Sequence, residues 1–380
     1  MCIFGRKGTW PGHTERALNS SWVGDGARRK RPAVGLMAPL LIALRVEVGY
    51  ARSPGTAEPW VRASVLKTIV LNVVQVAFVL GLAPLLAGVL ARLKERLQSK
   101  RGPSIWQPYR DLRKLFGKDE VVSEEATWVF RLAPYLAFVT PVIITMLIPV
   151  LTSFPLFFAF VGDMLAAGFI LGLSGFFTVL AAVDAANPYG AMGASRTRMV
   201  SFLAEPVLVI VLFTVAFVAD STIPYIVQQQ WVTPIANFFA PSHVLILIAF
   251  VMLILAEAGR LPVDNPTGHF ELAMIDESKS LEYSGRGFAL VKWGGWMRFL
   301  VLCIIFLNVL LAPWGLAKDG SLASVASAIV LVSLKIVIFL VVIAAIESSV
   351  SKLRLFRITE FLAAAFVISV TAMITRAFAL

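Results

Sequence analysis

The sequence predicts an all-α, polytopic membrane protein with about eight transmembrane helices and one interfacial amphipathic helix. Three observations predict it. Hydrophobic residues make up 58% of the chain and charged residues only 15%, against about 25% charged in soluble domains. Several apolar runs reach the ~20 residues that cross a bilayer as a helix, and runs of that length satisfy their backbone in lipid only as helices. The basic residues gather in alternate loops. The net charge of +11 therefore reads as a positive-inside pattern, with no nucleic-acid surface implied.

In chain order, residues 1–60 stand apart from an eight-helix membrane domain at 61–380. They carry Arg28, Arg29, Lys30 and Arg31. Their apolar run Leu36 to Leu44 is too short to span and is broken by Pro39. Rich in Gly, Ser, Arg and Pro, they read as a disordered extension or as the product of a mis-assigned start codon. Spans then follow at about 64–91, 128–151, 157–183, 198–219, 243–260, 287–312, 323–346 and 358–379. Pro84, Pro134, Pro141 and Pro206 fall inside or near the ends of spans, where neighbours can satisfy the carbonyls they free. Gly168 and Gly172 form a G-x-x-x-G that permits close helix contact. The first, third, fifth and seventh loops hold most of the Lys and Arg. They are expected on the cytoplasmic side of the inner (plasma) membrane, with both termini outside. Arg28 to Arg31 run against that topology.

The first loop contains a helix of its own. From Ser104 to Phe116, Ile105, Trp106, Tyr109, Leu112, Leu115 and Phe116 fall largely on one face and Arg110, Arg113 and Lys114 on the other. Such a helix lies in the membrane interface.

Charges inside the spans carry the functional reading, because an ionisable group in lipid is costly and marks a site. Glu205 lies roughly 10 Å into the fourth span at ~1.5 Å per residue. Glu257 lies near the same end of the fifth. The two runs are antiparallel, so the carboxylates fall at similar depth and suit a proton relay. Arg198, seven residues before Glu205, lies on the same helix face and offers a static pair instead. Lys335 sits mid-span with apolar residues on both sides, too many for its stem to pass. Asp163 and Glu347 are the candidates for its partner. After the fifth span, Glu257, Asp264, Glu271, Asp276, Glu277 and Glu282 crowd one loop, as either an uptake site or a solvated connector. His269 stands alone there. The two cysteines, Cys2 and Cys303, have no partners at ligand spacing, so no metal site is expected. If the chain serves redox chemistry, the electrons travel in a partner.

Several segments together carry a resemblance. They are R-G-P-S-I-W-Q-P-Y-R-D-L-R-K-L (101–115), G-A-M-G-A-S-R (190–196), L-A-E-P (203–206), A-E-A-G-R-L-P-V-D-N-P (256–266), E-Y-S-G (282–285) and E-S-S-V-S-K-L-R-L-F-R (347–357). In this order they resemble the complex I subunit 1 family, and most closely its hydrogenase branch of formate hydrogenlyase subunit 4 and hydrogenase-4 component C. The resemblance implies an eight-helix subunit that anchors a hydrogenase-like large subunit and an iron–sulfur small subunit beside antiporter-like membrane subunits. It implies no cofactor on this chain, with iron–sulfur clusters and the nickel–iron centre in the partners. Glu205, Glu257, Arg260 and Asp264 fall on positions resembling the quinone chamber and the start of the proton path, with Lys335 further along. Glu271, Glu277 and Glu282 resemble the acidic loop facing the peripheral arm. The glycine-rich insert of the quinone branch is missing after R-G-P-S, and the acidic loop reads T-G-H-F-E-L. Both departures favour the hydrogenase branch. A quinone-binding subunit is the alternative. A free-standing transporter would predict inverted repeats, which the sequence lacks.

Overall fold

The computed structural model describes residues 57–156, 162–232, 240–264, 275 and 277–379. These residues form ten α-helices and no strand: α1 (Ala57–Leu97), α2 (Gln107–Phe116), α3 (Trp128–Leu147), α4 (Met164–Asp184), α5 (Pro188–Val218), α6 (Pro224–Val232), α7 (Pro241–Glu257), α8 (Gly285–Ile304), α9 (Leu322–Ser349) and α10 (Leu355–Ala379). The expected extension at 1–60 lies outside the described residues, apart from 57–60, which open α1.

Each of the eight expected spans contains a helix, though the second stops at Leu147. Seven are long and apolar enough to cross a membrane, and the chain is a multi-pass membrane protein. The fifth, α7, has only 17 residues, or about 26 Å at ~1.5 Å per residue. It runs through the protein: Ile246, Ala249, Phe250, Leu253 and Ile254 are buried. α5 and α10 cover it. The third span begins later than expected, at Met164. Asp163 is the N-cap there, its carboxylate accepting from the Leu165 N–H at 2.9 Å, which satisfies an otherwise orphaned donor.

Close approach comes from small residues, as lipid supplies no hydrophobic drive between helices. The G-x-x-x-G holds α4 against α5, with Gly168 meeting Leu212 and Gly172 meeting the Glu205 side chain. At Gly88 the backbone of Ile105 crosses α1 so tightly that an added Cβ would lie 2.1 Å from its carbonyl oxygen. That crossing seats α2, the expected interfacial helix, against α1 and α8. Leu112 of α2 is buried, and the Tyr109 hydroxyl donates to the Gly81 carbonyl.

Two departures from regular helix lie at the end of the bundle remote from α2. α8 continues as a buried π-helical segment, Ile305–Leu311. After α3 ends at Leu147, residues 148–156 run without helix although Ile148, Val150, Leu151, Thr152 and Leu156 are buried. Buried carbonyls need donors, and side chains supply several. Gln75 Nε2 donates to Thr145 and Ile148, Asn308 Nδ2 to Pro149 and Val150, and the Tyr225 hydroxyl to Ile148.

Candidate functional site

The intramembrane acids meet where α4, α5, α7 and α8 converge. Glu257 ends α7 and accepts a hydrogen bond from Arg298 of α8. Its side chain is only 5% exposed, so the guanidinium offsets a charge that burial alone would make very costly. Glu205 of α5 interacts electrostatically with Glu257, Arg198 and Arg298. Glu205 and Glu257, expected at similar depth, thus lie within electrostatic range of one another. Arg198 acts on Glu205 without a direct pair, and its guanidinium lies 5.1 Å from the Phe176 ring centroid.

A cavity of about 380 Å³ opens beside this cluster, lined by Gly88, Ser104, Gln107, Glu257, Asp264 and Arg298 among others. A smaller cavity of about 40 Å³ reaches from Glu257 and Arg298 to Ser201 and Ala204 on α5, one residue short of Glu205. Glu257 thus lines both hollows, and Glu205 lies next in sequence to the end of the smaller one.

Paired charges wall the cavity. Glu347, with a fully buried side chain, binds Lys94 at 2.7 Å and Arg260 at 3.7 Å. Arg260 also lies 5.1 Å from the Phe299 ring centroid. Asp264 binds Lys352 at 2.7 Å and accepts from the Ile275 N–H at 3.1 Å. Glu277 pairs with Lys292. Glu282 accepts from the Asn187 amide, whose own oxygen caps α5 through the Tyr189 N–H. Of the expected site residues, Glu205, Glu257, Arg260, Asp264 and Glu277 gather at this end, with Glu282 nearby. Glu271 and His269 lie outside the described residues.

Lys335 does not join them. Its ammonium donates to the carbonyls of Ala312, at 2.7 Å, and Trp314. Neither expected partner reaches it. Asp163 caps α4, and Glu347 is held by two other cations. From sequence, only depth in the span is readable, and depth does not say which neighbouring helix presents its loop.

Sequence reasoning missed Arg298, Lys94 and Lys292. Arg298 had a signal: it lies within the expected sixth span, where the cost of a charge marks a site. Lys292 lies in the same expected span but near its end, and Lys94 had no signal, because it resembles an ordinary basic residue near a helix end.

Comparison with known proteins fixes the lineage. Residues 68–377 match the family model described as NADH dehydrogenase. The chain is 33% identical to formate hydrogenlyase subunit 4 of Escherichia coli (strain K12) over 290 residues, covering 76% of this chain and 92% of that protein. It is 32% identical to hydrogenase-4 component C of the same organism, covering 75% and 89%. An NADH-quinone oxidoreductase subunit of Syntrophotalea carbinolica is 29% identical, covering 66% and 79%. The chain belongs to the complex I subunit 1 family, in its hydrogenase branch. The fold agrees with a chain in the structure of the membrane-bound sulfane sulfur reductase, an archaeal respiratory membrane complex, at a TM-score of 0.70 and 18% identity. The match covers 81% of this chain and 99% of that one.

The segments shared with the complex I subunit 1 family acquire physical roles here. In E-Y-S-G, Tyr283 stacks on Phe130 at 4.2 Å and donates to its carbonyl at 3.1 Å. Burial, with Asp184 and Glu120 close by, pushes its hydroxyl well above the ordinary phenol range, so it stays a neutral donor. The Ser284 hydroxyl accepts from the Val121 N–H and donates to the Val121 carbonyl. Gly285 has φ +47°, and an added Cβ would meet the Asp119 carbonyl at 2.6 Å. Only glycine fits there. The motif thus fastens the acidic loop to the start of α3, and its first residue, Glu282, ties that loop to the start of α5.

Proposed function

We propose that this chain is the membrane-anchoring and proton-coupling subunit of an energy-converting nickel–iron hydrogenase or formate hydrogenlyase complex. In this reading it lies in the cell inner membrane with the cavity end toward the cytoplasm and both termini outside. A hydrogenase-like large subunit and an iron–sulfur small subunit dock over the cavity, and antiporter-like membrane subunits lie alongside. The chain itself holds no redox centre; the iron–sulfur clusters and the nickel–iron centre belong to the partners. The kinship with the two Escherichia coli hydrogenase-complex proteins supports the class.

One observation carries the coupling role. Glu257 lines the cavity and lies within electrostatic range of Glu205 on α5, and Arg298 acts on both. Electron arrival in the peripheral arm adds negative charge near Glu277 and Glu282. Nearby like charge favours protonation of a carboxylate and opposite charge disfavours it. Motion of Arg298 toward the new charge would leave Glu257 less neutralised, so it takes up a proton. Glu205 then receives it, and the path continues toward Lys335. Arg260 and Asp264, both ion-paired, shape the cavity wall.

The quinone-binding alternative has one observation in its favour. A cavity of about 380 Å³ is of the size that holds small ligands, roughly 300–1,000 Å³. The deciding experiment is to titrate a complex I quinone-site inhibitor against the purified complex with its native donor, following hydrogen evolution and reduction of an added quinone. Insensitive hydrogen evolution is the expected result. Potent inhibition or rapid quinone reduction would establish the alternative.

A further inference from the structure

The end of the bundle remote from the cavity contains a second polar region that the coupling cluster does not use. Along α1, Gln75 lies nineteen residues before Lys94, about 28 Å away at ~1.5 Å per residue. Four amides gather there around the non-helical 148–156 segment and the turn after the π-helix. Gln75 and Asn308 hold carbonyls of consecutive residues, Ile148, Pro149 and Val150. Tyr225 holds Ile148, and Gln228, one turn on in α6, donates to Pro313 at 2.9 Å. Lys335 donates to Ala312 and Trp314, on either side of that proline. Asn72 lies one turn before Gln75, on the same side of α1.

These amides are nearly inaccessible: Asn72 is 3% exposed, Gln75 0%, Gln228 3% and Asn308 1%. Among the described residues, Asn72 Oδ1, Gln75 Oε1, Gln228 Oε1 and Asn308 Oδ1 accept no hydrogen bond, and Asn72 Nδ2 donates none. A buried amide left so is destabilising, and four in one region ask for a common occupant. A metal cation would satisfy the oxygens alone. Here an unpartnered donor lies beside the acceptors, and an ammonium such as Lys335 carries three N–H groups, two of them on named carbonyls. Water both donates and accepts, and a buried water characteristically joins about three such groups.

We infer that Asn72, Gln75, Gln228 and Asn308 bind a cluster of buried water molecules that bridges the 148–156 segment to the turn held by Lys335. The waters complete the hydrogen bonding of two stretches of backbone that leave helix inside the membrane domain. They also set exchangeable protons beside Lys335, a consequence that rests on the proton-coupling reading; the site itself does not.

The test is a cryo-EM map of the intact complex in nanodiscs, at a resolution that shows water in the cavity. Thermal unfolding of the complex carrying Asn72→Val accompanies it. Water density within about 3 Å of at least two of the four amide oxygens is expected, and the variant should unfold about 2 °C or more lower. A dry region in such a map, with the unfolding midpoint unchanged or raised, would overturn the proposal, because Val relieves an unsatisfied amide in a dry site. If Asn72→Val fails to assemble, the density of the unmodified complex decides. Neither readout depends on proton coupling, so the site can fail without the functional reading failing, and the reverse.

Discussion

Arg298 of α8 reaches across the interior to donate to Glu257 at the end of α7, and both lie within electrostatic range of Glu205 on α5. One guanidinium thus serves two carboxylates that belong to different helices. Arg198 acts on Glu205 from its own helix without a direct pair, so Glu205 is held less tightly than Glu257, which suits a group that must exchange a proton.

Replacing Glu257 with Gln keeps the shape and the hydrogen-bonding ability but removes the exchangeable proton. The complex should assemble, and proton translocation should fall by about 10²-fold, the lower end of what a positioned acid–base group contributes. Unchanged proton uptake by the purified complex in proteoliposomes would remove Glu257 from the path. Glu205→Gln should behave alike if, as proposed, the two acids act in series.

Arg298→Leu should destabilise the protein by about 3–5 kcal/mol, because it leaves Glu257 buried without its partner. The double variant Arg298→Leu with Glu257→Gln should recover most of that stability and none of the coupling. Thermal unfolding of both variants, read beside proton uptake, checks this. Equal instability in the single and double variants would show that Arg298 matters for packing rather than for the pair.

Gly88→Ala should separate α2 from α1. The added Cβ would lie 2.1 Å from the Ile105 carbonyl oxygen, a backbone atom that cannot swing aside, and overpacking of this kind costs about 1–3 kcal/mol. Faster proteolysis in the 98–118 stretch is the expected sign, while Gly81→Ala, with open space at its Cβ, should leave cleavage unchanged.

Lys335→Met should cost about 1–3 kcal/mol by removing a donor from the carbonyls of Ala312 and Trp314. Lys335→Arg should restore most of it, since its fork still donates. Comparing the unfolding midpoints of the two variants tests whether Lys335 secures this turn.

The sequence by itself determined the class and the approximate places of the eight helical spans. Lipid imposes those through rules that act along one helix at a time: apolar length, period and the cost of charge. It also determined the lineage, through segments such as E-Y-S-G. Only the tertiary structure decided which charges meet. Lys335 was readable as a mid-membrane cation, yet its partners are carbonyls that follow a π-helical segment no periodicity foretold. Glu347 was readable as a carboxylate near a span end, yet Lys94 and Arg260 claim it from two other regions of the chain. Arg298 stood in plain view within a span, but its partner Glu257 lies 41 residues away. A pairing between helices depends on their rotation and on how closely small residues let them approach. Both are set by the whole bundle at once, so no single stretch of sequence contains them.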